Sequence, residues 1–131
     1  MPIKREAPEA RKLVQAIYKH CFDREPDAAN AKGLVEYLVT GKKSVRMILA
    51  GFLKSEEFFD KRLRDKKPED LAEILYRYVL GRPPESAEAK QGAADFIGAH
   101  GWPIQVDVML NSEEYLDKYN DDLLPGAAGK R

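Results

Sequence analysis

Leu53-Lys54-Ser55-Glu56-Glu57-Phe58-Phe59-Asp60-Lys61 returns 57 residues later as Leu110-Asn111-Ser112-Glu113-Glu114-Tyr115-Leu116-Asp117-Lys118. Upstream, Ile17-Tyr18-Lys19 matches Leu75-Tyr76-Arg77, Arg24 matches Arg82, Pro26 matches Pro84 and Asp27 matches Glu85, all at an offset of 58. One residue has been lost between the two blocks. Matches that keep their order over this distance mark an internal duplication. The chain is therefore read as two copies of one unit of a little under sixty residues.

The unit is helical. Leu13, Val14, Ile17, Tyr18, Cys21 and Phe22 fall at steps of one and three, which lines one face of a helix from about Pro8 to Phe22. Pro26 disfavours helical geometry in the residue before it, and Asp27 is placed to cap the next helix. Ala31, Leu34, Val35, Leu38 and Val39 form its stripe, with Gly41 as a left-handed stop. Ser44 opens a third helix carrying Val45, Ile48, Leu49, Phe52 and Leu53, and Ser55 opens a short fourth with Phe58, Phe59 and Leu63. After the polar connector Arg64 to Pro68, Leu71, Ile74, Leu75, Tyr78 and Val79 redraw the first stripe, stopped by Gly81.

The duplication also decides one ambiguous segment. Ile104, Val106, Val108 and Leu110 alternate as a strand would, but their counterparts between Val45 and Leu53 are plainly helical. Pro103 suits a first helical turn, with Trp102 in the place of Val45, so Pro103 to Leu110 is expected to be a helix. The fold class is all-α, a single compact domain of two tandem helical repeats with about seven to eight helices. The expected limits are an N-terminal arm at 1–7, repeat one at 8–66, repeat two at 67–122 and a flexible tail at 123–131.

Twenty-two basic residues balance 22 acidic ones. That gives no general pull toward nucleic acid or anionic lipid, both of which need a basic excess on some face. No stretch approaches the roughly twenty apolar residues of a membrane span, and the N-terminus lacks a signal-peptide core. Cys21 is the only cysteine, so no internal disulfide can form, and a reducing, cytoplasmic setting is expected.

No residues converge as catalytic groups. Serine followed by two acids is what a helix N-terminus favours, and no histidine is spaced to activate Ser55 or Ser112. His20 and His100 lack the partners that would complete a metal shell, and Cys21 reads as a small buried hydrophobe. Lys61-Arg62-Leu63-Arg64-Asp65-Lys66-Lys67 is the one basic run, interrupted by Asp65 and without interleaved aromatics for base stacking. It reads as a solvated linker; if it binds anything, a negatively charged protein surface fits better than nucleic acid.

Arg24 and Arg82 follow the first helix of each copy. There a guanidinium can oppose the negative helix end and bond its last carbonyls, or it can bind a partner. Tyr18, Tyr76, Trp102, Tyr115 and Tyr119 exceed what a small core needs, and aromatic side chains anchor interfaces as readily as cores. With Arg24, Arg77 and Arg82 they are the candidate partner-binding residues. No enzyme activity, cofactor or metal is expected; self-association is left open.

Two resemblances bear on function. Glu73-Ile74-Leu75-Tyr76-Arg77-Tyr78-Val79-Leu80-Gly81-Arg82-Pro83-Pro84 resembles the "LGRAP" segment of phycobilisome linker polypeptides. Gly101-Trp102 through Ser112-x-Glu114-Tyr115, Asp122-Leu123-Leu124-Pro125, and Ser44-Val45-Arg46 through Ser55 are similar to other parts of that family. The resemblance implies a scaffold that binds phycobiliprotein subunits, organises discs of a light-harvesting antenna without carrying a pigment, and lies peripheral to the thylakoid membrane. The first copy, with Arg24-Glu25-Pro26-Asp27 and Phe52-Leu53-x-Ser55-x-Glu57-Phe58, also resembles a bacterial helical repeat of unknown function found in secreted and glycosyltransferase-associated proteins. That alternative implies an assembly or adhesion module unrelated to photosynthesis.

Overall fold

A computed structural model describes residues 5–124. Within them the chain forms eight α-helices and no strand: α1 (Ala7–Phe22), α2 (Ala28–Thr40), α3 (Val45–Leu53), α4 (Glu56–Phe58), α5 (Pro68–Leu75), α6 (Ala87–His100), α7 (Trp102–Leu110) and α8 (Glu113–Lys118). α4 runs on into a π-helical turn at Phe59–Leu63, and α5 into a second at Tyr76–Leu80. The expected residues 1–4 of the arm and 125–131 of the tail, Pro125 among them, lie outside the described residues.

Serine caps begin α3, α4, α6 and α8. The hydroxyls of Ser44, Ser55, Ser86 and Ser112 accept from the amides of Met47, Phe58, Ala89 and Tyr115 at 3.0 to 3.2 Å. Asp27 departs from its expected role. It stands at the start of α2, but its carboxylate takes Arg24 and Asn30 instead of a helix amide. α1 ends on Asp23 and the second π turn on Gly81, the same position in the two copies, both left-handed at φ 55° and 72°. Glycine adopts that geometry freely.

The segment that alternates like a strand is helical, as the duplication requires, but its apolar residues divide differently. Gln105, Val106, Met109 and Leu110 face inward, while Ile104 and Val108 are half exposed. α6 continues through His100, and Gly101 alone, at φ 95° and ψ 152°, breaks the chain before α7. A single glycine thus replaces the four-residue link Gly41 to Ser44 of the first copy.

Both copies contribute to one core, from Val14, Ile17 and Cys21 of α1 to Leu75, Val106 and Tyr115 of the second half. Each fully buried aliphatic side chain contributes about 1.5–3 kcal/mol relative to exposure. The halves meet through equivalent elements. α3 packs on α7, and His20 Nε2 lies 2.8 Å from the carbonyl oxygen of Tyr78, its own counterpart at an offset of 58. A residue touching its own equivalent lies on an approximate two-fold axis. The two ends of the described span are joined as well: the buried guanidinium of Arg5 donates to the Asp122 carbonyl and carboxylate at 3.1 and 3.2 Å, and Leu124 sits in the core.

Candidate functional site

The residues repeated most faithfully build one device twice. In the first copy Arg24 follows α1, and its Nε and Nη2 donate to the two carboxylate oxygens of Glu57 on α4 at 2.7 and 2.8 Å. Nη1 donates to the Glu25 carbonyl and to Asp27, and the guanidinium lies 5.0 Å from the Tyr18 ring centre. In the second copy Arg82 grips Glu114 at 2.7 Å through both nitrogens, donates to the Pro83 carbonyl and Glu85, and lies 5.2 Å from the Tyr76 ring. Lys61 and Lys118 complete the pattern, bonding Glu57 and Glu114 while donating to the carbonyls of Phe22 and Leu80.

Two-pronged arginine to carboxylate pairing is among the stronger charge-assisted arrangements. Hydrogen bonds from Arg24 hold the Glu57 carboxyl at about 2, well below its ordinary 4.5, with Lys61 adding to the effect and burial opposing it. Arg82 and Lys118 hold Glu114 at about 2 in the same way. The clamp joins the end of the first helix to the start of the Ser-Glu-Glu helix. This revises the expectation for the arginines: a lysine, not the arginine, bonds a carbonyl at the end of the first helix, and the arginine's donors are taken up within the fold.

The tyrosine candidates divide. Tyr18, Tyr115 and Tyr119 are buried, at 3%, 0% and 4% exposure, which removes them from any surface contact. Tyr18 packs edge-on to Phe52, and the Tyr119 hydroxyl donates to the Leu80 carbonyl at 3.2 Å. The Tyr115 hydroxyl is buried without a hydrogen-bond partner among the described residues, and burial pushes its pKa up. Tyr76, Arg82 and Arg24 are partly exposed within the clamps, and Arg77 is exposed and paired to Glu73. Cys21 is fully buried, with its thiol pushed well up by desolvation.

Trp102, at the start of α7, stacks on Phe59 of the first π turn, with ring centres 5.9 Å apart. Arg64 lies over Phe59, and Arg62 lies over Tyr78 of the second π turn, at 5.4 and 5.2 Å. These side chains join the two copies at the surface. Sequence reading singled out Trp102 but missed Phe59, Glu57, Glu114 and Lys61. The constant offset linking Arg24 to Arg82 and Glu57 to Glu114 was the available signal for the clamp.

A groove of about 510 Å³ opens on the first copy, lined by Phe22, Phe52, Ile48 and Gly51 among others. A side chain built at Gly51 meets nothing within 4 Å. The second copy has Val108 at that position, half exposed. Among the described residues no group of three or more His, Cys, Asp or Glu is placed to hold a metal ion, and no helix is long and apolar enough to cross a membrane.

Comparison with known proteins adds a family. The sequence model of phycobilisome linker polypeptides matches residues 5–127, spanning both copies. Phycobiliprotein ApcE of Synechocystis sp. is 26% identical over 129 residues, covering 92% of this chain and 14% of ApcE. The phycocyanin-associated rod 1 linker polypeptide of 32.1 kDa from the same genus is 25% identical over 119 residues, covering 89% of this chain and 41% of the linker. The Photosystem I-associated linker protein CpcL of Nostoc sp. is 27% identical over 119 residues, covering 89% and 50%. The chain thus spans half or less of the length of these relatives.

Proposed function

The chain belongs to the phycobilisome linker polypeptide family, and from that premise we propose that it holds phycobiliprotein subunits in a fixed arrangement through surface contacts. The observation that carries this reading is the family match across residues 5–127, which takes in both copies and the junction between them. Phycocyanin appears in the name of one relative as its associate, which supports the same class of partner here. In this reading the clamps and core make a stiff body. The partner meets the partly exposed side chains, Trp102 foremost, with Tyr76 and Arg77 beside the second clamp. A rigid scaffold loses little conformational entropy on docking, which favours positional accuracy in an assembly.

The expected work is non-catalytic, and the expected location is the antenna at the thylakoid surface. The role proposed for the chain is to hold those subunits in register within the discs of the antenna. The test is co-sedimentation of the purified chain with phycobiliprotein trimers at low ionic strength. The intact chain is expected to sediment with the trimers, and Trp102→Ala to weaken that binding while leaving the helical circular dichroism unchanged. Intact protein that stays in the supernatant with every phycobiliprotein tried would overturn the reading.

A further inference from the structure

The basic run becomes informative once its counterpart is placed beside it. Arg62, Arg64, Lys66 and Lys67 end the first copy, and the equivalent positions in the second are Tyr119, Asp121, Leu123 and Leu124. The second copy turns its end inward: Tyr119 bonds the Leu80 carbonyl, Asp121 pairs with Arg46 at 2.7 Å, and Leu124 is buried. The first copy turns its end outward. Residues 60–67 hold five cations against two anions in a chain of zero net charge. Arg64 is bonded to Asp60, whereas Lys66 and Lys67 are exposed and have no ion-pair partner among the described residues.

Two of these cations, Arg62 and Arg64, lie on an aromatic platform drawn from both copies, and Lys66 and Lys67 follow them directly in the chain. Phe59 and Trp102 stack, Arg64 covers Phe59, and Arg62 covers Tyr78 while its Nε donates to the Cys21 carbonyl at 3.4 Å. A partly exposed tryptophan with a rim of exposed charge is the composition of a protein interface centre. Nucleic acid fits less well. The guanidiniums already lie on Tyr78 and Phe59, the Phe59 ring lies against Trp102, and two free ammoniums are few for a phosphate backbone. Lysine ammoniums suit single carboxylates.

We propose that the junction between the copies, centred on Trp102 and Phe59 and rimmed by Lys66 and Lys67, is the docking face for an acidic protein surface. Neither copy carries this face alone. The naming of that acidic surface as a phycobiliprotein rests on the linker reading; the location and sign of the face do not.

The test measures binding of the full chain to purified phycocyanin and, separately, to poly-glutamate, poly-uridine RNA and phosphatidylserine vesicles. Three versions are compared: the natural sequence, Lys66→Glu/Lys67→Glu, and Lys32→Glu/Lys42→Glu, which alters two other exposed lysines by the same charge. Reversal at Lys66 and Lys67 is expected to weaken phycocyanin binding about tenfold and flatten its salt dependence, with the control pair changing it about twofold or less. Phycocyanin binding that is indifferent to Lys66 and Lys67, or equally sensitive to the control pair, overturns the face and leaves the linker reading intact. Binding to poly-glutamate through Lys66 and Lys67 without binding to any phycobiliprotein keeps the face and removes the linker reading. Preference for RNA or vesicles overturns the acidic-protein assignment, and binding to none of the four overturns the proposal.

Discussion

The two copies share a skeleton and differ in what they show to solvent. The paired hydrogen bonds of Arg24 with Glu57 and of Arg82 with Glu114 agree to within about 0.1 Å, and each clamp has a lysine on its carboxylate and a tyrosine ring beneath its guanidinium. Around these clamps the first copy opens a groove at Gly51 where the second has Val108, and its end is cationic where the second copy's is acidic and apolar. Duplication therefore separated two demands on the chain. What folding needs was kept in both places, and the surfaces were released to diverge.

Acid gives the largest test of the shared part, because it reaches both clamps together. The folded-state values of Glu57 and Glu114, about 2, lie below the ordinary 4.5, so the unfolded chain binds more protons as pH falls. The stabilisation is complete above about 4.5 and is lost progressively toward about 2. Urea midpoints measured across that window are expected to fall steeply for the natural chain. In Glu57→Gln/Glu114→Gln the slope is expected to be shallower, from a lower starting stability; an unchanged slope would mean that other carboxylates dominate.

Breaking one clamp at a time asks whether the copies are energetically equal. Arg24→Ala and Arg82→Ala are each expected to lower the urea midpoint at neutral pH, because each leaves a partly buried carboxylate without its two-pronged partner. Urea unfolding of the two variants checks this. Costs that differ by more than about 1 kcal/mol, a large fraction of a typical pair's worth, would show that one copy leans on its clamp more than the other.

The smallest expected effect lies in the core. Tyr115 occupies the position of Phe58, and its hydroxyl is buried without a partner, whereas Phe58 has no such group to satisfy. Tyr115→Phe is expected to raise stability by about 1 kcal/mol, read as a higher thermal midpoint. A lower midpoint would mean that the hydroxyl has a partner in solution, such as an ordered water.

Helix content and repeat order were legible because serine caps, glycine stops and stripe spacing are local signals, and the second copy repeated them. The helical reading of Pro103 to Leu110 came from its partner segment alone. Within that segment helical geometry buries Gln105 and Met109 and leaves Ile104 and Val108 half exposed, which the alternation alone does not reveal. Gly98 gave no hint that α6 would pass through it, because glycine marks a stop only where left-handed geometry is adopted, as at Gly41 and Gly81. At the candidate surface, residue type could not separate Trp102, partly exposed, from Tyr18 and Tyr115, both buried. That distinction depends on packing between elements far apart in the chain.

The contact of His20 with Tyr78 has a further consequence. An element that packs on its own equivalent is what an isologous pair of subunits would present, and here the connector Arg64 to Lys67 ties the two partners together. The tether makes an encounter between halves independent of how dilute the protein is, at the effective millimolar concentrations that short linkers supply. It also frees the halves from being identical. Histidine on one side of the axis and tyrosine on the other is an asymmetry that a pair of unlinked, identical subunits could not encode.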